Sequence, residues 1–132
     1  MITHALAAAA AAALTVADLP VDQETVVDGV PAACTGFAQT KADPRWAAYP
    51  VRIEFANPAA EYLSSGEVVV TDARGKPVVA ARCQAPWILL KLPTGAYKVE
   101  GRVPGSDAPS RSAPFRSPAG GQARVVLTFP TN

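Results

Sequence analysis

From Pro50 to Phe129 the apolar residues recur at every second position, in short runs broken by glycine or proline. No stretch carries a helical spacing for more than one turn, so the chain is limited to half-buried strands joined by tight turns. Val51, Ile53 and Phe55 share one face of "VRIEF", with Arg52 and Glu54 on the other, and Val68 and Val70 share a face of "EVVVTD". "KPVVAARC" and "WILLKL" follow, broken at Pro86, and Pro77 at the start of its strand suggests an edge position. In "LPTGAYKVEGRV" a turn at Pro93 and Gly95 leads into a strand with Tyr97, Val99 and Val103 inward and Lys98, Glu100 and Arg102 outward. "APFRS" and "ARVVLTF" complete the series, the second with Val125, Leu127 and Phe129 on one face. About seven short strands at this spacing predict an all-β, two-sheet β-sandwich, and connections this short predict antiparallel pairing.

The residues ahead of this region are of another kind. Residues 1–17, "MITHALAAAAAAALTVA", are small, apolar and uncharged, and "DLP" follows them. The run is too short and too alanine-rich for a membrane span, and it fits a signal peptide cut ahead of Asp18, although no Lys or Arg stands at its start. The alternative is an alanine-rich helix kept in the chain. Residues 18–40 show little periodicity and read as an acidic, loosely ordered leader containing Cys34, or with "QETVV" adding an edge strand, and 41–132 as the sandwich domain. In "ADPRWAAYP", Asp43 reads as an N-cap and Pro44 as the first helical residue, giving one short turn that drops Trp46 and Tyr49 onto the domain.

Two cysteines, Cys34 and Cys83, stand far apart, and neither has the CxxC context of a redox or metal site. In an exported chain they are expected to be joined; the alternative is a pair of buried thiols. Net charge is +1, but Asp18, Asp22, Glu24 and Asp28 all precede the first basic residue, Lys41. The basic excess beyond Lys41 is too dispersed for a nucleic-acid footprint.

Two pieces together, "SGEVVVTDARGKPVVAA" and "LPTGAYKVEG", resemble the carboxypeptidase regulatory-like domains, which are related to the Cna-B-type repeats. Asp72, Gly75, Leu92, Pro93, Gly95, Tyr97 and Val99 carry the resemblance, which spans residues 65–103. It implies a prealbumin-like (transthyretin-like, Ig-like) sandwich and a non-catalytic module that supports, spaces or binds, often on secreted or envelope proteins. On this view Asp72, Gly75, Pro93, Gly95 and Tyr97 are turn-forming signature residues. Arg52 stands where Cna-B repeats place the lysine of their isopeptide crosslink, so that bond is not expected here.

Enzymatic chemistry finds little to work with. The one histidine, His4, lies in the export segment, which leaves the mature chain without histidine-dependent triads or zinc sites. Glu61 and Glu67 are the carboxylates nearest to an acid–base pair, and both read more simply as surface charges. Trp46, Tyr49, Tyr62 and Trp87 form the candidate binding surface, and a Cys34–Cys83 bond would bring the two tryptophans together. Such aromatics could stack on a glycan or anchor a protein; the plainer alternative is a hydrophobic cluster over the disulfide. The expectation is therefore an exported, periplasmic or extracellular module with no catalytic role, no cofactor and no metal. Its expected partner is an envelope or secreted protein, with neither nucleic acid nor a membrane span after signal removal. A carbohydrate-binding module is the alternative.

Overall fold

The computed structural model describes residues 14–130. His4 and most of the expected signal peptide lie outside the described residues. Ten strands form in chain order: β1 (Ala17–Asp18), β2 (Glu24–Val27), β3 (Val30–Thr35), β4 (Val51–Ala56), β5 (Gly66–Asp72), β6 (Pro77–Cys83), β7 (Trp87–Leu90), β8 (Gly95–Arg102), β9 (Arg111–Ser117) and β10 (Ala123–Thr128). A 3-10 helix, Pro44–Ala48, lies between β3 and β4. The strands make two five-stranded sheets, ordered β1-β6-β5-β8-β9 and β10-β4-β7-β3-β2. The fold is the expected β-sandwich, compatible with a prealbumin-like or Ig-like architecture.

Three expectations need correction. The pairing is mixed, because β10 lies parallel to β4 and β1 parallel to β6. These partners are remote in sequence, so the short turns that force antiparallel neighbours do not act on them. There are ten strands among the described residues, not about seven. The surplus comes largely from residues 18–40, which are built into the sandwich and are not a loose leader. β3 pairs with both β2 and β7. Its "VPAAC" run is buried on both faces, and a strand covered on both faces has no period-two signature. The β2–β3 hairpin turns at Asp28 and Gly29, both with positive φ (53° and 80°), as a two-residue turn of the primed type requires.

The inner faces hold the alternating residues read from the sequence. Val51, Ile53, Phe55, Val68, Val70, Val99, Val125, Leu127 and Phe129 all join the core. Phe55 sits at its centre, 6.3 Å from the Phe129 ring. Gly66 on β5 and Gly101 on β8 make this packing fit: a Cβ at Gly66 would overlap the Phe55 ring, and one at Gly101 would strike Leu127. Among the described residues Pro77 has no strand beside it on the β1 side, since β1 covers only Ala81 and Arg82 of β6.

Cys34 on β3 and Cys83 on β6 are disulfide-bonded with Cα atoms 5.5 Å apart, and both are fully buried. The bond joins one sheet to the other. A buried disulfide suggests a non-cytoplasmic, oxidising compartment. Among the described residues no helix is long and apolar enough to cross a membrane. Closing 49 residues should lower the entropy of the unfolded chain by about 4 kcal/mol in the chain-entropy model. A Cys34→Ala/Cys83→Ala variant should therefore lose about 2–5 kcal/mol of stability in urea unfolding, and reductant should destabilise the wild type to a similar extent.

Candidate functional site

The segment between β3 and β4 folds over the outer face of the second sheet. Asp43 caps the 3-10 helix by accepting a 2.9 Å hydrogen bond from the Arg45 amide, and Pro44 takes the first helical position, as the sequence indicates. The turn lays Trp46 and Tyr49 on Ala33 and Leu89, forming a small second core. Both rings are pinned. Trp46 Nε1 donates to the Thr40 carbonyl at 2.8 Å, and the Tyr49 hydroxyl donates to Glu24 Oε1 at 2.7 Å. Gln122 Nε2 donates to the carbonyls of Trp46 and Tyr49, tying the turn to the residue just before β10.

Trp87 is also buried, with its ring over Gly36, where a Cβ would collide with the indole. The Arg52 guanidinium lies 4.2 Å from its centroid, and Tyr62 meets it edge-on at 6.2 Å and 83°. Trp46, Arg52 and Trp87 line one recess of about 180 Å³, so the two tryptophans do share a neighbourhood. Of the four aromatics only Tyr62 is exposed, at 42 %. Trp46 and Tyr49 are inclined at 50° to each other, so these rings make no flat platform for a sugar.

Beside Trp87 lies a feature that period-two reading assigned to the solvated face. Glu54 is completely buried, because the outer face of β4 is covered. Its two oxygens accept hydrogen bonds from Arg124 Nε (2.7 Å) and Nη2 (2.9 Å), a fork across the β4–β10 pair. Arg52 Nε lies 2.7 Å from the same carboxylate, but its N–H is out of line for a hydrogen bond, leaving that nitrogen buried with an electrostatic contact only. The hydrogen bonds and charge of Glu54 hold the Arg124 pKa above its ordinary value. Trp87 Nε1 is likewise buried without a hydrogen-bond partner.

Glu67 repeats the arrangement on the first sheet. It is 7 % exposed and accepts from Arg82 Nη2 and Arg102 Nε, both at 3.0 Å. It is thus a buried structural anion rather than a surface charge. Glu61 belongs to the turn after β4 and accepts from Asn57 Nδ2, so the structure does not assemble Glu61 and Glu67 into a pair. The signature turns form as expected. Asp72 Oδ1 accepts from the amides of Arg74 and Lys76 at 2.9 and 3.0 Å, and Gly75 takes φ 80°. Gly95 takes φ 155°, and the Tyr97 hydroxyl donates to the Pro93 carbonyl at 2.7 Å, locking the turn before β8. These turns and the Asp28–Gly29 turn surround an open recess of about 590 Å³ at one end of the sandwich, lined among others by Asp28, Asp72, Lys76 and Lys91.

Among the described residues no group of three or more histidine, cysteine, aspartate or glutamate side chains is placed to hold a metal ion. No family model matches the chain, and no curated protein matches it.

Two outcomes follow from this geometry. Glu54→Gln leaves two guanidinium groups without their anion, and because Arg124 is half exposed the loss should be about 2–3 kcal/mol, below the ~3–5 kcal/mol of a fully buried pair. Urea unfolding measures it. Tyr49 is one alkaline-sensitive group, and burial raises Tyr97 as well. At Tyr49, burial first, and then its hydrogen bond to Glu24, raise the phenol above the usual 10. The native state therefore keeps a proton that the unfolded chain releases. The associated stability is complete below pH 10 and is lost as the pH rises beyond it, with a slope approaching about 1.4 kcal/mol per pH unit. In Tyr49→Phe that part of the alkaline loss should vanish.

Proposed function

We propose that this chain is a non-catalytic, exported β-sandwich module of the carboxypeptidase regulatory-like type, with a structural or protein-interaction role in the cell envelope. The proposal rests on the fate of the groups able to do chemistry. Glu54 and Glu67 are each held between two arginines, and Trp46, Tyr49 and Trp87 are packed into the body of the domain. Such groups are spent on rigidity. The buried disulfide supports export, and the locked turns at Asp72 and Pro93–Tyr97 support the family resemblance. Of the exposed large apolar side chains, Val26, Phe37, Tyr62 and Val126, the last two line one shallow recess at the outer margin of the second sheet, a surface available for recognition.

A photo-crosslinking residue at Tyr62 or Val126, in cells exporting the chain, should give a discrete crosslinked species that the same residue at Lys98 does not. Glycan binding abolished by Tyr62→Ala, or turnover of a substrate abolished by Glu54→Gln in protein that remains folded, would overturn the proposal.

A further inference from the structure

We infer that copies of this chain associate edge to edge, β2 of one copy pairing with β10 of the next so that the second sheet runs on from molecule to molecule. This deepens the interaction-module reading, on which it rests, by naming the partner as a second copy.

The two sheets treat their edges differently. The first sheet ends on β1, only two residues long, and on β9, which is interrupted by Pro114; a short strand and a proline both discourage pairing. The second sheet ends on β2 and β10, which contain no proline and, among the described residues, have one neighbour each. On β10, the amide of Ala123 donates to Pro50 and that of Phe129 to Ala56, so this alternate set faces β4. The backbone groups of Arg124, Val126 and Thr128 consequently face the open edge. On β2, Val26 is paired with Pro31, whose carbonyl is turned to β7 and accepts from Lys91. That is a non-hydrogen-bonded pair, and Glu24 and Val26 present their backbone groups outward.

Side chains and direction agree with the backbone. Val26 and Val126 are two of the four exposed large hydrophobics, at 64 % and 40 %, and one sits at each open edge. β10 is parallel to β4, β4 is antiparallel to β7, β7 to β3, and β3 to β2. Within one chain β2 and β10 therefore run in opposite directions. A copy displaced sideways, with no rotation, offers β2 antiparallel to β10 with the same face outward. Placing Val26 opposite Val126 sets Glu24 opposite Thr128 and brings Asp28 beside Arg124.

Charge favours the same match. Asp22, Glu24 and Asp28 lie on or beside β2 and none forms an ion pair among the described residues, with Arg45 near Asp22 and Glu24 and Lys91 beside Asp28 as the basic groups on that side. The other side carries Arg111 and Arg116 on β9, which packs against β10; they too form no ion pair, and no acidic residue follows Asp107. Opposite charges on opposite edges attract head to tail and repel like edges, a heterologous contact that leaves the assembly open.

Sedimentation velocity over a concentration series provides the test. Wild type should form a ladder of oligomers that shrinks as salt is raised. Val26→Lys blocks one edge, and Val126→Lys or Val126→Pro the other; the outward amide of Val126 means that proline removes no bond within the sheet. Each variant alone, with an unchanged thermal transition, should be a monomer. An equimolar mixture of a Val26 and a Val126 variant should double in mass and grow no further, because one intact edge of each kind remains. A wild type that stays monomeric at its highest soluble concentration, oligomers unaffected by the variants, or a mixture that stays monomeric would overturn the inference. A monomeric wild type that still crosslinks another protein through Val126 would reject self-pairing while leaving the interaction module intact.

Discussion

The Cys34–Cys83 bond is the constraint on which the rest of the structure depends. It fixes β3 of one sheet to β6 of the other at full burial, and β3 separates β7 from the edge strand β2. Besides that fixed point, residues 17–35 hold to the domain through short strands, Leu19 and Val30 in the core, and polar contacts such as Asp18–Arg82 and Glu24–Tyr49. Ala32 and Ala33 bury little apolar area, so their segment contributes weakly to hydrophobic stabilisation. The covalent link supplies what alanine cannot. It also makes the acidic β2 edge a rigid margin of the sandwich.

The outer face of the second sheet is where this fold departs from a simple alternating sandwich. An antiparallel sheet normally leaves one face to water. Here the 3-10 segment covers β3 and β7, and arginines close over β4. Glu54 is thereby removed from water, and a carboxylate so placed must be paired. The fork from Arg124 fastens β10 to β4, and Gln122 fastens the start of β10 to the covering turn. The last strand of the chain is therefore held to the sheet by side chains as well as by its ladder.

Much of the fold was legible because period-two alternation reports a strand with one wet face. Val51, Ile53, Phe55, Val125, Leu127 and Phe129 fell on the buried side for that reason, and the Asp72 and Pro93–Gly95 turns carried chemistry specific to their geometry. The same signal failed where both faces are dry. Glu54 alternates with Ile53 and Phe55 yet is buried, and "VPAAC" shows no alternation at all. The Asp-Gly pair at 28–29 was the local signal that could have placed β2 and β3 in the sandwich, since it turns a two-residue hairpin. Parallel contacts between strands remote in sequence left no mark that composition or spacing could reveal. Trp46 and Trp87 line one recess, but Trp46 and Tyr49 pack on Ala33 and Leu89, apart from the core that holds the disulfide, and whether a ring is exposed depends on what folds over it. Trp46 and Trp87 were covered by residues whose role no spacing indicated.

Folding of a single chain does not account for valine at positions 26 and 126. Val26 is largely and Val126 partly exposed, and a polar residue would serve the isolated sandwich nearly as well, since exposed positions contribute little to stability. Nor does it account for the difference between the sheets, one closed at its margins by a two-residue strand and a proline, the other ending on uninterrupted strands with outward backbone groups. An open edge is a hazard that folded proteins usually blunt. An edge left open, given an exposed valine and set across the molecule from a second such edge of opposite charge, has the features of a surface used for pairing. The rigidity supplied by the disulfide, the glycine-accommodated core and the buried ion pairs then has a mechanical meaning: it keeps β2 and β10 at a fixed distance and orientation, which is what a repeating contact requires.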